Sequence, residues 1–237
     1  MPNPYFQFKQ FTVYQDNCAM KVGTDGVLLG AWANVGEAQH ILDIGTGTGL
    51  LSLMVAQRSK AQILGIEIDE AAAQQAMENV ERSDWRERIQ IKNLSLQDFV
   101  LQTNERFDFI LSNPPYFNES LKAASSERTM ARHTDTLSYE VLLKSVAALL
   151  TDEGRFAVVL PYSEKERFLL LAASQSLFAH QIVEIYPTPQ STPKRFLAEF
   201  SKQKTECELS KLVIESAGRH QYSEEYVELT REYYLKM

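Results

Sequence analysis

The chain has 237 residues, of which 44% are hydrophobic and 23% charged, enough apolar material for one large core that buries about 70% or more of its unfolded surface without covalent staples. Two cysteines, Cys18 and Cys207, form neither a disulfide framework nor a metal site, no apolar run approaches the ~18 residues of a membrane span, and the first residues do not read as a signal segment. A net charge of −7 excludes a generally basic nucleic-acid binder and leaves only a local basic patch for that purpose.

Taken in chain order, Phe6, Phe8, Phe11, Val13 and Tyr14 alternate loosely as a short strand pair or lid. Thr24 is placed to cap a helix through Trp32, so residues 1–38 read as a strand and helix extension. Strands expected near 40–44, 61–67, 88–93 and 106–112 alternate with helices near 49–59 and 70–82. Repeated βα units of this kind require a parallel sheet. The polar segment 117–136 has no core pattern and reads as a substrate-gating loop. An amphipathic helix over 137–150, a strand over 155–160, and a helix over 163–175 with Phe168, Leu169 and Leu171 inward come next. Strands near 180–186, 195–201 and 208–215 follow, the last two antiparallel, and a helix over 224–236 closes the chain. Pro187, Pro189 and Pro193 mark a turn-rich connector, not a domain boundary, so 1–237 is expected to be a single α/β domain.

Four motifs carry chemistry. After the apolar Ile41-Leu42, the run Asp43-Ile44-Gly45-Thr46-Gly47-Thr48-Gly49 leads into a helical apolar pattern. A strand, a glycine-rich turn and a helix start place backbone N–H groups where a ligand approaches closely. The spacing is GxGxG, not the GxGxxG of dinucleotide folds. A carboxylate two residues ahead of the loop disfavours a pyrophosphate and favours an amino-acid moiety with an ammonium group. The second strand ends in Glu67, suited to accept both hydroxyls of a ribose. Asp98, after the third strand, is a candidate acceptor for an adenine amino group, or else a charge at a helix start.

The fourth strand runs into Asn113-Pro114-Pro115-Tyr116. Pro115 fixes its own φ and restricts Pro114, so the side-chain amide oxygen of Asn113 and the Pro114 carbonyl form a rigid pair of acceptors for one NH2 group. Tyr116 offers a face on which a planar group stacks. A neutral amine already carries its lone pair, so a His or Lys base is not required and His133 is disfavoured in that role.

In this order and spacing, these residues resemble class I S-adenosylmethionine-dependent N-methyltransferases. The N-terminal run from Met20 to Trp32, with Ala131-Arg132-His133, is similar to the bacterial tRNA(Val) adenine-N6 methyltransferases, which modify the adenine 3′ of the anticodon, nucleotide 37. The resemblance implies a Rossmann-like, seven-stranded, mostly parallel sheet with helices on both faces and S-adenosylmethionine as cofactor. It carries over Lys21, Thr24, Asp43, Gly45, Thr46, Gly47, Gly49, Glu67, Ile68, Asp98 and Asn113 as cofactor-binding, and Asn113, Pro114, Pro115 and Tyr116 as catalytic. No metal is implied.

An RNA rim is expected from Lys122, Arg128, Arg132, His133, Lys194 and Arg195. The partner implied is tRNA through a single-stranded anticodon-loop adenine, with a monomeric, cytoplasmic enzyme. Rivals are glutamine-N5 methylation of a protein, guanine-N2 methylation of rRNA, a DNA adenine methyltransferase without room for a recognition domain, and a non-catalytic nucleotide-binding scaffold.

Overall fold

The computed structural model describes residues 3–18, 20–115 and 137–237. Five strands run parallel in the spatial order β5-β4-β3-β6-β7. They are β3 (His40–Ile44), β4 (Gln62–Glu67), β5 (Ile89–Asn93), β6 (Phe107–Ser112) and β7 (Leu150–Pro161). In β3 and β6 the buried run is nearly continuous, as parallel strands covered on both faces require. Helices α1 (Thr24–Trp32), α2 (Leu50–Arg58) and α3 (Glu70–Glu81) supply Leu28, Leu53 and Ala76 to the core on one face. Helices α4 (Leu96–Gln102), α5 (Tyr139–Leu149) and α6 (Lys165–Ser174) supply Phe99, Leu142 and Phe168 to the other.

The sheet has eight strands, not seven. β9 (Arg195–Ser201) lies antiparallel between β7 and β8 (Phe178–Tyr186), and β10 (Glu208–Val213) pairs with β8 in parallel at the outer edge. The expected pairing of 195–201 with 208–215 is therefore absent. β9 carries Phe196, Leu197, Ala198 and Phe200 with no exposure, so it takes a neighbour on each side. β10 is exposed over its first four residues and suits an edge. The proline-rich connector closes β8 onto β9 as a hairpin, with Lys194 N donating to the Ile185 carbonyl at 2.9 Å.

The N-terminal segment forms a strand pair, β1 (Tyr5–Gln7) with β2 (Thr12–Tyr14), and buries Phe8, Phe11 and Val13 in the same core as α2 and α3. Thr24 does not cap α1: Gly23 occupies the cap position, with no side-chain cap hydrogen bond. A small hairpin, β11 (Glu215–Gly218) with β12 (Gln221–Tyr222), precedes α7 (Glu224–Thr230). That last helix ends six residues before the expected 236, because the chain turns at Thr230 to send the Tyr233 hydroxyl to the Met54 carbonyl at 3.1 Å. Among the described residues, no helix is long and apolar enough to cross a membrane.

Candidate active site

The carboxyl ends of β3, β4, β5 and β6 open on one cleft, where open α/β sheets bind ligands. It comprises a cavity of about 270 Å³ and a neighbour of about 440 Å³, which share Met20, Gly45, Gly47 and Asn113. The glycine turn forms the floor. Gly45 has φ 70° and Gly47 φ 56°, in the left-handed region that favours glycine. A Cβ at either would meet nothing within 4 Å, so the space above the loop is left open to a ligand.

Asp43 is fully buried and lines neither cavity. Its Oδ2 accepts from Thr46 Oγ1 at 2.6 Å, Ser52 Oγ at 2.8 Å and Ser52 N at 3.1 Å, while its Oδ1 has no hydrogen-bond partner among the described residues. Burial pushes its pKa up to about 6, against the lowering by those three bonds and with a smaller push from Glu67. The expected direct contact with an ammonium group is thus replaced by a hold on the loop. Thr46 lines the larger cavity with its hydroxyl turned to Asp43. Gly49, at φ 82°, caps α2 and packs on Ala76; it lines neither cavity.

Glu67 lines the smaller cavity and braces the same loop, its Oε2 accepting from Gly47 N at 2.9 Å and its Oε1 from Asp69 N at 3.0 Å. Beyond it stand Ile68, 55% exposed, with Leu94, Leu96 and Gln97. This end is lined mainly by apolar side chains, as small-molecule sites are. Asp98 is not in it. Its carboxylate takes a 2.6 Å bond from the Ser95 hydroxyl, which in turn accepts from Asp98 N at 3.0 Å, so it serves the start of α4.

At the end of β6, the Ser112 hydroxyl donates to the Ile44 carbonyl at 2.9 Å, which ties the tetrad to the strand carrying the glycine loop. Asn113 lines both cavities and Pro115 the smaller one, while Pro114 is buried. Tyr116, Lys122, Arg128, Arg132, His133 and the expected gating loop lie outside the described residues.

The larger cavity is walled by the start of α1, with Lys21 and Thr24, and by Arg195. Lys21 Nζ donates to the Gln15 carbonyl. Arg195 Nε bonds Asp25 Oδ2 at 2.7 Å, and its Nη1 donates to the Lys194 carbonyl at 2.9 Å. Lys194 is exposed beside it but does not line the cavity.

Sequence reasoning missed two buried amides of α3. Asn79 donates to the Thr48 carbonyl at 2.9 Å and exchanges bonds with both backbone groups of Tyr14, while Gln75 accepts from Asn17 N at 3.3 Å. They tie the N-terminal hairpin and the segment bearing Cys18 and Met20 to the glycine loop. Polar residues four apart on an alanine-rich helix were the available signal, and it does not distinguish a buried face from a wet one.

A methyltransferase small domain model matches residues 20–173. The chain is 55% identical over its full length, and that of its relative, to the tRNA1(Val) (adenine(37)-N6)-methyltransferase of Bacteroides thetaiotaomicron. It is 46% identical over 98% of both chains to the protein of that name from Trichodesmium erythraeum. Among solved structures, a predicted O-methyltransferase from Agrobacterium tumefaciens superposes with a TM-score of 0.69 at 19% identity, covering 88% of this chain and 96% of its own. A ribosomal protein L11 methylase from Lactobacillus delbrueckii subsp. bulgaricus reaches 0.55 at 16%, covering 80% and 84%. These likenesses show the class I methyltransferase fold, and the full-length identities go further: the chain belongs to the methyltransferase small-domain family and, within it, to the tRNA1(Val) (adenine(37)-N6)-methyltransferases.

Proposed function

We propose that this protein methylates N6 of the adenine at position 37, 3′ of the anticodon, in a valine tRNA, with S-adenosylmethionine as cofactor. The observation that carries the reading is Asn113, which lines both the open glycine cradle and the cavity beside it. The residues present fit the cofactor, since Gly45 and Gly47 leave the cradle clear and Glu67 stands at its rim. When bound, the cofactor supplies a methyl group on a positively charged sulfur.

In this reading Glu67 takes the ribose hydroxyls, and Ile68 and Leu96 enclose the adenine ring of the cofactor. Lys21 and Thr24 stand at the amino-acid end. Asn113 Oδ1 and the Pro114 carbonyl accept the two hydrogens of the target amine, which keeps its lone pair out of the ring and aimed into the shared cleft. Tyr116 stacks on the target base. Alignment supplies most of the rate, on the scale of ~7–11 kcal/mol available from proximity. An already single-stranded base unstacks at the smallest cost, which favours an anticodon loop. Lys194 and Arg195 serve as RNA contacts. The packing of residues 3–32 into the main core supports reading 1–237 as one catalytic domain, and a monomeric cytoplasmic enzyme fits such a substrate.

The test is methyl transfer from labelled S-adenosylmethionine to unmodified tRNA, rRNA, DNA and protein, followed by nucleoside mass spectrometry. N6-methyladenosine at position 37 of the valine tRNA is expected, and Asn113→Ala should lower kcat by at least about 10²-fold. A product in rRNA guanine or protein glutamine would overturn the assignment.

A further inference from the structure

Asp25 sits in the first turn of α1, and Arg195 opens β9, 170 residues later. The side chains are 23% and 32% exposed, and both residues line the cavity that Asn113 also lines. Among the described residues the guanidinium is held at two points: Nε on Asp25 Oδ2 at 2.7 Å, and Nη1 on the carbonyl of Lys194 at 2.9 Å. Two bonds from different nitrogens set the plane of a rigid fork, which a single bond leaves free to rotate.

As an acid in the first turn of α1, Asp25 suits the positive end of the helix dipole, but its charge does not help an RNA to bind. The chain already carries −7, and a carboxylate at the mouth of a cleft that admits a polyanion opposes binding. Toward an RNA its use is orientation, since a guanidinium recognises a phosphate in a planar, two-pronged geometry that an unfixed side chain adopts only part of the time. We propose that Asp25 is a positioning residue for the RNA: it holds the Arg195 guanidinium beside Asn113 so that Arg195 binds the backbone phosphate of the target nucleotide. This rests on the tRNA reading above.

Steady-state kinetics with unmodified tRNA, together with calorimetry of S-adenosylmethionine binding, test it. Asp25→Ala should raise KM for tRNA roughly tenfold, the scale of one charge-assisted hydrogen bond, with kcat falling less than KM rises and cofactor affinity within about twofold of wild type. Asp25→Asn removes the same charge but keeps an acceptor for Nε, so it should stay within about twofold in KM. Arg195→Lys, which keeps the charge and loses the fork, should resemble Asp25→Ala. In an Arg195→Ala background, Asp25→Ala should add nothing.

A lower KM for both Asp25 variants would show that charge, not orientation, governs. Equal effects of Asp25→Ala with and without Arg195 would show that Asp25 acts independently of the Arg195 guanidinium. Either result overturns the proposal, as does a normal KM for both Asp25→Ala and Arg195→Lys in an enzyme whose wild type methylates tRNA. A wild type inactive on tRNA removes the functional reading, and the proposal with it.

Discussion

Asp43 shows how one residue's environment sets its job. Its sequence position suggests a contact with a ligand's ammonium, yet the side chain is sealed beneath the loop and spends Oδ2 on Thr46 and Ser52. Its pKa stands at about 6 against an ordinary 3.8, so the folded chain binds this proton more tightly than the unfolded one. The stabilisation by the neutral carboxyl is fully present below pH ~4 and is lost as pH rises toward 6, by roughly 3 kcal/mol in total. Asp43→Asn, whose amide carbonyl can take over the three accepted bonds, has no such loss. Its stability relative to wild type should therefore improve between pH 4 and 7 in urea titrations. Parallel stability curves for the two proteins would assign the proton to another group.

At the scale of elements, the glycine loop is held from three sides: Asp43 below, Glu67 from β4, and Asn79 from α3. Gly47→Ala places a Cβ in the open cradle at φ 56°. The strain is about 1–2 kcal/mol, so the variant should fold with a modestly lower Tm and bind S-adenosylmethionine at least tenfold more weakly by calorimetry. A variant that binds normally would show that the cofactor does not approach this loop. Asn79→Ala leaves the Thr48 carbonyl and both backbone groups of Tyr14 without their partner, at about 1–3 kcal/mol of stability. Because the hairpin and the loop share that amide, chemical denaturation and cofactor affinity should both register the loss. Unchanged affinity in the destabilised variant would uncouple the hairpin from the cleft.

For the molecule as a whole, the proposed function requires an acidic chain to bind an RNA through a local face. Affinity for tRNA should fall steeply with salt, and Arg195→Ala should reduce the log–log slope by about one unit or slightly less, as expected for one phosphate contact. A flat salt dependence would move the acceptor to a small molecule or a protein.

The glycine turn, the strand end bearing Asn113 and the parallel part of the sheet were legible in the order of residues alone. Strands 40–44 and 106–112 stood out because buried parallel strands are apolar almost throughout, and the glycine loop and the proline tetrad are local backbone devices whose geometry depends on neighbours in the chain. The rest came from packing. Asp43 beneath the loop, Asn79 under the hairpin and Arg195 on Asp25 each depend on which elements meet, whereas Asp98 on Ser95 is a helix-start contact within one stretch of chain. The order of β8, β9 and β10 depends on which strand needs burial on both edges. Composition and spacing report how residues sit along one element; burial and long-range pairing belong to the packing of several, and a carboxylate acquires its role from the donors that packing brings to it.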